Sequence, residues 1–163
     1  MRNLLVQRFH CESSDFYSYL VIHSDSKSCA VIDPPCSDAS CWRVISDTIR
    51  ANDLRLCWLL HTTVEARQIS GAEAFKENHV CAQSAIGASV EQLASGRNFD
   101  RVFNSGDRFQ LGHAYGRVHF HPGANQPRAQ YQFEDCVFLG DELNPLYKTW
   151  NNSPQVFSRE LTA

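Results

Sequence analysis

The stretch WLLHTTVEARQISGA, from Trp58 to Ala72, carries the change of pattern on which the fold depends. Leu54 to Leu60 is an apolar run of strand length, and Ser70 with Glu73 forms an S-x-x-E capping box. The spacing therefore predicts a buried strand, a short polar loop and a helix from Gly71 to about Asn78. On the N-terminal side, Leu4 to Phe9, Phe16 to Ile22 and Cys29 to Ile32 are rich in aromatic and β-branched residues, with a polar turn at Ser24 to Lys27. These read as antiparallel strands. Ser37 or Asp38 then caps an expected helix ending near Asn52, whose inward positions are Cys41, Ile45, Thr48 and Ile49.

On the C-terminal side a strand is expected at Val80 to Gln83 and a short helix at Ala88 to Ala94. The pattern then returns to β at Arg101–Phe103, Arg108–Leu111, Tyr115–His121, Gln130–Phe133 and Cys136–Leu139, with Glu134-Asp135 as a tight turn. Ser153 and Pro154 suit the start of a last helix. Strands, then alternating helices and strands, then more strands give an α/β sandwich of two sheets with helices outside.

With 163 residues, 43% of them hydrophobic, the chain is expected to form a single domain over 1–163. A net charge of −3 offers no basic excess to neutralise phosphates, so no nucleic-acid partner is expected. No apolar run approaches the roughly 20 residues that span a bilayer, and Met1 to His10 lacks the apolar core of an export signal. A soluble, unexported, cytoplasmic protein without a membrane partner is the expectation. The seven cysteines are odd in number and include no C-x-x-C, which reads as reduced thiols. Cys57, Cys81 and Cys136 fall in expected strands as small core residues, while Cys11, Cys36 and Cys41 lie in or near loops.

Trp58 to Ala72 also resembles the metal-binding loop of the metallo-β-lactamase superfamily, in which a strand ending in Thr leads into H-x-H-x-D-H and a helix of small residues. HPGANQP (His121 to Pro127) and FLGDEL (Phe138 to Leu143) resemble its P-G-H and strand-G-D elements, in the same order. With RFHCESSDFYSYLV, AVIDP, SAIGAS and SGDRFQLG, the chain most resembles the glyoxalase II-like branch, in particular the persulfide dioxygenases. The resemblance runs from about Leu4 to Leu143 and implies an αββα sandwich. It also implies a zinc or iron centre acting as Lewis acid or oxygen carrier.

The residues at the implied ligand positions do not keep that chemistry. Thr63 and Glu65 stand at the two His positions of the loop, Arg67 at the Asp, Gln68 at the last His and Ala124 at the His of P-G-H. Only Asp141 of the G-D element remains. Arg67 puts a permanent cation where a dication would sit; its expected role is an ion pair with Asp141 or Glu65, the alternative being an exposed surface arginine. These six residues form the expected remnant pocket, with no metal cofactor and no catalytic residue. The reading is a pseudoenzyme that binds or regulates. The alternative is a metal-dependent hydrolase or a thiol- or persulfide-oxidising enzyme, holding zinc or iron through His61, Glu65, His121 and Asp141. In that version His61 faces the mouth because it shares strand parity with Thr63. The divergent tail, Asn144 to Ala163, replaces family strands, so a truncated second sheet is expected. Tyr147, Trp150, Val156 and Phe157, a second copy in a homodimer or a protein partner would cover it.

Overall fold

A computed structural model describes residues 3–12, 16–64, 66–91, 99–120, 128–134 and 136–138. Two sheets are stacked. In the first, β1 (Leu4–Cys11), β2 (Phe16–His23) and β3 (Ser28–Ile32) pair antiparallel, and β4 (Arg55–His61), β5 (Gln83–Gly87) and β6 (Arg101–Phe103) continue from β3 in parallel. The crossovers carry α1 (Ser40–Ala51) and α2 (Ala66–Asn78), and α3 (Ala88–Glu91) follows β5. The second sheet is antiparallel, in the order β10 (Cys136–Phe138), β9 (Ala129–Phe133), β8 (Ala114–Phe120), β7 (Arg108–Leu111).

The strand alternation sorts side chains into two cores. On β2, Leu20 and Ile22 meet Ile45 and Ile49 of α1 and Phe75 of α2, whereas Tyr19 and Val21 face Phe109, Val118 and Tyr131 of the second sheet. A sheet covered on both faces requires strands without a polar side, which is why β2 and β3 read as nearly continuous apolar runs. Between the sheets, Phe109 stacks on Phe103 at 5.3 Å and meets Phe133 edge-on at 5.3 Å, and Trp58 donates its indole N–H to the Gln110 carbonyl at 2.8 Å. The expected sandwich is thus present, and its second sheet has four strands among the described residues. No described helix is long and apolar enough to cross a membrane.

Several boundaries differ from those expected. α2 begins at Ala66, so Ser70 lies inside the helix and S-x-x-E caps nothing. Gly71 serves a close approach instead: a Cβ there would strike the Pro35 carbonyl. β5 starts at Gln83, leaving Val80 89% exposed in the turn after α2 and Cys81 exposed rather than in a strand core. Cys57 and Cys136 are partly buried in their strands, Cys57 at the register shift between β3 and β4. The turn expected at Glu134 is present, with a φ of 52°. The expected helix at Ser153, the tail and the end of the helix towards Ala94 lie outside the described residues.

The reading of uniformly reduced thiols is also corrected. Cys11, at the end of β1, is joined by a disulfide to Cys41 in the first turn of α1, with their Cα atoms 5.7 Å apart. The two residues are 30 apart in sequence and both are buried, a pairing that spacing alone does not select.

Candidate functional site

The C-terminal ends of β3, β4 and β5 lie side by side because these three strands are parallel. Asp33 follows β3 directly, wholly buried, at a φ of 50°, a left-handed conformation that Asp tolerates better than most residues. One carboxylate oxygen accepts the Thr62 N–H at 2.8 Å and the other the Thr62 hydroxyl at 2.6 Å. The Asp33 N–H in turn donates to the Leu60 carbonyl at 2.8 Å. From the second sheet, the Tyr131 hydroxyl donates to the His61 carbonyl at 2.6 Å and the Ala129 N–H to the Thr62 carbonyl at 3.0 Å. Both sheets therefore grip the backbone from Leu60 to Thr62. Burial, reinforced by the Asp33 charge, pushes the Tyr131 phenol well above its usual range, so it stays a donor.

This clamp sets the direction in which the chain leaves β4. Thr63, half-buried, comes next, and Arg67 and Gln68 lie in the first turn of α2. Three of the expected pocket positions therefore fall on the strand-to-helix junction. Glu65, Ala124, Asp141 and His121 lie outside the described residues, so the structure does not place them relative to Thr63. Among the described residues no group of three or more His, Cys, Asp and Glu is arranged to hold a metal ion.

No family model matches the chain. A Beta-lactamase hydrolase-like protein of Xylella fastidiosa (strain 9a5c) is 29% identical over 147 residues, covering 77% of this chain and 34% of that protein. Glyoxylase B2 of Dictyostelium discoideum is 27% identical over 149 residues, covering 76% of this chain and 51% of that protein. Thus the chain spans between a third and about half of the length of these relatives. Among solved structures, ETHE1 from Myxococcus xanthus superposes with a TM-score of 0.69 at 20% identity, over 83% of this chain and 56% of that one. A metallo-beta-lactamase from Staphylococcus aureus subsp. aureus COL gives a TM-score of 0.67 at 15% identity, over 82% and 38%. The chain has the metallo-β-lactamase fold. Its relatives and structural neighbours support the glyoxalase II and ETHE1-like branch of that superfamily.

In a metallo-β-lactamase fold the β4–α2 junction is where the H-x-H-x-D-H ligands leave the strand. Here Thr63, Arg67 and Gln68 supply a hydroxyl, a guanidinium and a carboxamide. A guanidinium has no lone pair to give, and neither hydroxyl nor amide matches the imidazoles a zinc or iron centre takes.

His61 is the departure that strand parity did not foresee. Its ring does not face an open mouth: the residue is 1% exposed, and the ring lies edge-on to Phe99 at 5.3 Å. The chain bends at Thr62, and the inward–outward alternation ends there. Neither ring nitrogen has a hydrogen-bond partner among the described residues. Burial lowers its pKa from 6.5 to about 4, so the imidazole is neutral near pH 7. In the unfolded chain it titrates near 6.5, so in the window between that value and 4 only the unfolded state binds the proton. Stability present above about pH 6.5 is lost as pH falls through 4, to an extent of about 3 kcal/mol. Urea unfolding of the parent and of His61→Asn at pH 7 and pH 4 checks this: the variant should lose that much less on acidification. Equal losses in the two proteins would remove His61 from the account.

Asp33, Tyr131, Phe99 and Ser89, whose hydroxyl oxygen is likewise buried and without a partner among the described residues, are not among the expected site residues. An Asp between an apolar strand and Pro34 was the one available signal, and a sequence does not distinguish a buried strand-end carboxylate from an exposed turn residue.

Proposed function

We propose that this domain works by binding, as a ligand-binding or regulatory member of the metallo-β-lactamase fold without the family's metal chemistry. The observation that carries the reading is the β4–α2 junction. The clamp from Asp33 and Tyr131 holds it, and Thr63, Arg67 and Gln68 are the residues that the resemblance aligns with the family's ligands there. A scaffold kept rigid around changed residues suits recognition, because pre-organised walls reduce the ordering cost of binding. Ala124 removes a further donor and Arg67 adds a charge that opposes a dication. Without a Lewis acid or metal-activated water, this reading leaves no evident source for the several kcal/mol of transition-state stabilisation such a centre provides. A second copy of the chain, or a protein partner, covering the four-stranded second sheet belongs to the same proposal.

Elemental analysis of protein expressed in zinc- and iron-supplemented medium is the test, paired with oxygen uptake on glutathione persulfide and hydrolysis of S-lactoylglutathione. The expected result is substoichiometric metal and no turnover. Near-equimolar zinc or iron, lost with activity on Asp141→Ala, overturns the reading in favour of a metal site that includes Asp141; His61, Glu65 and His121 are the alternative's other ligands.

A further inference from the structure

α1 and α2 pack on the face of the first sheet turned away from the second sheet, and the outer side of α1 carries a regular charge pattern. Arg43, Asp47 and Arg50 follow one another at the four- and three-residue spacing that keeps side chains on one helix face. Asp53 comes next, just beyond the C-cap Asn52. All four are exposed, and all four line one cleft of about 550 Å³ whose floor includes Trp42, Ile49 and Leu54. The signs alternate along the helix and sum to zero. Arg50 reaches Asp47 at 2.6 Å, whereas Arg43 and Asp53, at the two ends, have no ion-pair partner among the described residues. On the adjoining flank Val44 is 51% exposed, and Ala51, two turns on, is exposed as well.

An alternating stripe with opposite signs at its ends is its own complement when reversed. Antiparallel alignment of two α1 helices about a twofold axis near Thr48 sets Arg43 against Asp53 of the second copy, Asp47 against Arg50, and Val44 against Ala51. Each contact then occurs twice, as a twofold interface requires. Parallel alignment would set like charge against like. We propose that α1 is a docking surface for a second copy of this chain, antiparallel helix on helix, with this charge pattern fixing register and direction. The occupant is a second copy because the complement that the stripe demands is present in the chain itself. A net charge of −3 makes two copies repel at a distance, and this electrically neutral face is where they approach at little cost. A helix of 12 residues is about 18 Å long, so the helix pair alone covers less than the roughly 800 Å² per partner of a standard interface, and the dimer is weak. Ion pairs at such an exposed face add little affinity each; they select the partner and its orientation. The surface is separate from the second sheet, and the inference stands apart from the binding reading of the β4–α2 junction.

The experiment is sedimentation of the full chain from micromolar to millimolar concentration at low salt, with charge reversals at the two ends of the stripe. Arg43→Glu and Asp53→Lys are the variants; lysine replaces Asp53 because that residue has a φ of 53° and Lys27 already holds 51° elsewhere in the chain. Both positions are exposed, and thermal unfolding verifies that each variant folds. The parent should form a concentration-dependent dimer, and either reversal alone should weaken it by about tenfold. An equimolar mixture of the two variants should regain the parent's association, because the altered end of each then meets the altered end of the other. The double variant should regain it as well. A parent that stays monomeric over the whole range overturns the proposal. So do single variants that dimerise as tightly as the parent, which places the contact on another surface such as the second sheet, and a mixture that associates no better than either variant alone.

Discussion

Asp33→Ala is expected to destabilise the domain by about 4 kcal/mol, a large share of the roughly 5–15 kcal/mol that holds a typical domain together. Two hydrogen bonds to a charged acceptor disappear, each worth about 1.5–3 kcal/mol, and the Thr62 N–H, almost fully buried, is left without that partner. Alanine must also adopt the φ of 50°, which adds about 1 kcal/mol of backbone strain. Loss of the buried charge returns part of this, because a carboxylate at zero exposure has been stripped of water. Asp33→Asn separates the contributions. Its amide oxygen still accepts the Thr62 N–H, its NH₂ donates to the hydroxyl once that rotates, and Asn tolerates the left-handed conformation, so a loss of about 1–2 kcal/mol is expected. Urea unfolding of the three proteins at pH 7 measures both values. An alanine variant within 1 kcal/mol of the parent would mean the clamp does not fix the junction. An asparagine variant as damaged as the alanine one would assign the effect to charge instead of hydrogen bonding.

The fold was legible where burial leaves a one-dimensional trace. β2 and β3 are covered on both faces, and their apolar continuity marked them; α1 showed its inward face through Cys41, Ile45 and Ile49. Errors arose where a local signal had a tertiary cause. Gly71 next to Ser70 looked like a helix start, yet the glycine is required because the Pro35 carbonyl lies against the helix interior. Val80 looked like the start of a strand and is a solvent-facing turn residue. At the site, the change of residues at Thr63, Arg67 and Gln68 was readable from the motif, and the support beneath them was not. The bond from Asp33 to Thr62 spans 29 residues, and no periodicity reports such a contact. The same bend that Asp33 fixes ends strand alternation at Thr62, which is why parity placed His61 at a mouth when its ring is enclosed.

Loss of the Cys11–Cys41 bond should cost about 3–4 kcal/mol, the loop-closure entropy expected for a crosslink spanning 30 residues. The bond ties the end of the edge strand β1 to the first turn of α1, and both sulfurs belong to the core that holds Ile45, Ile49 and Phe75. Reduction alone keeps the packing atoms, so its effect is the crosslink itself; Cys41→Ala removes a buried sulfur as well and should fall slightly further. For a chain of this length each kcal/mol moves Tm by about 2–4 °C, giving a drop on the order of 10 °C in reductant for the parent and none for Cys41→Ala. Thiol titration in denaturant supplies the independent check, with five free thiols before reduction and seven after. Seven before reduction, or equal Tm values with and without reductant, would show that the two sulfurs lie in contact without a bond. A cell compartment that keeps thiols reduced would hold the domain at the lower of these stabilities, and one that oxidises them at the higher. The strand next to β1 is β2, whose Tyr19 meets Phe138 at 5.1 Å, so loosening the β1–α1 corner reaches the second sheet through a single strand.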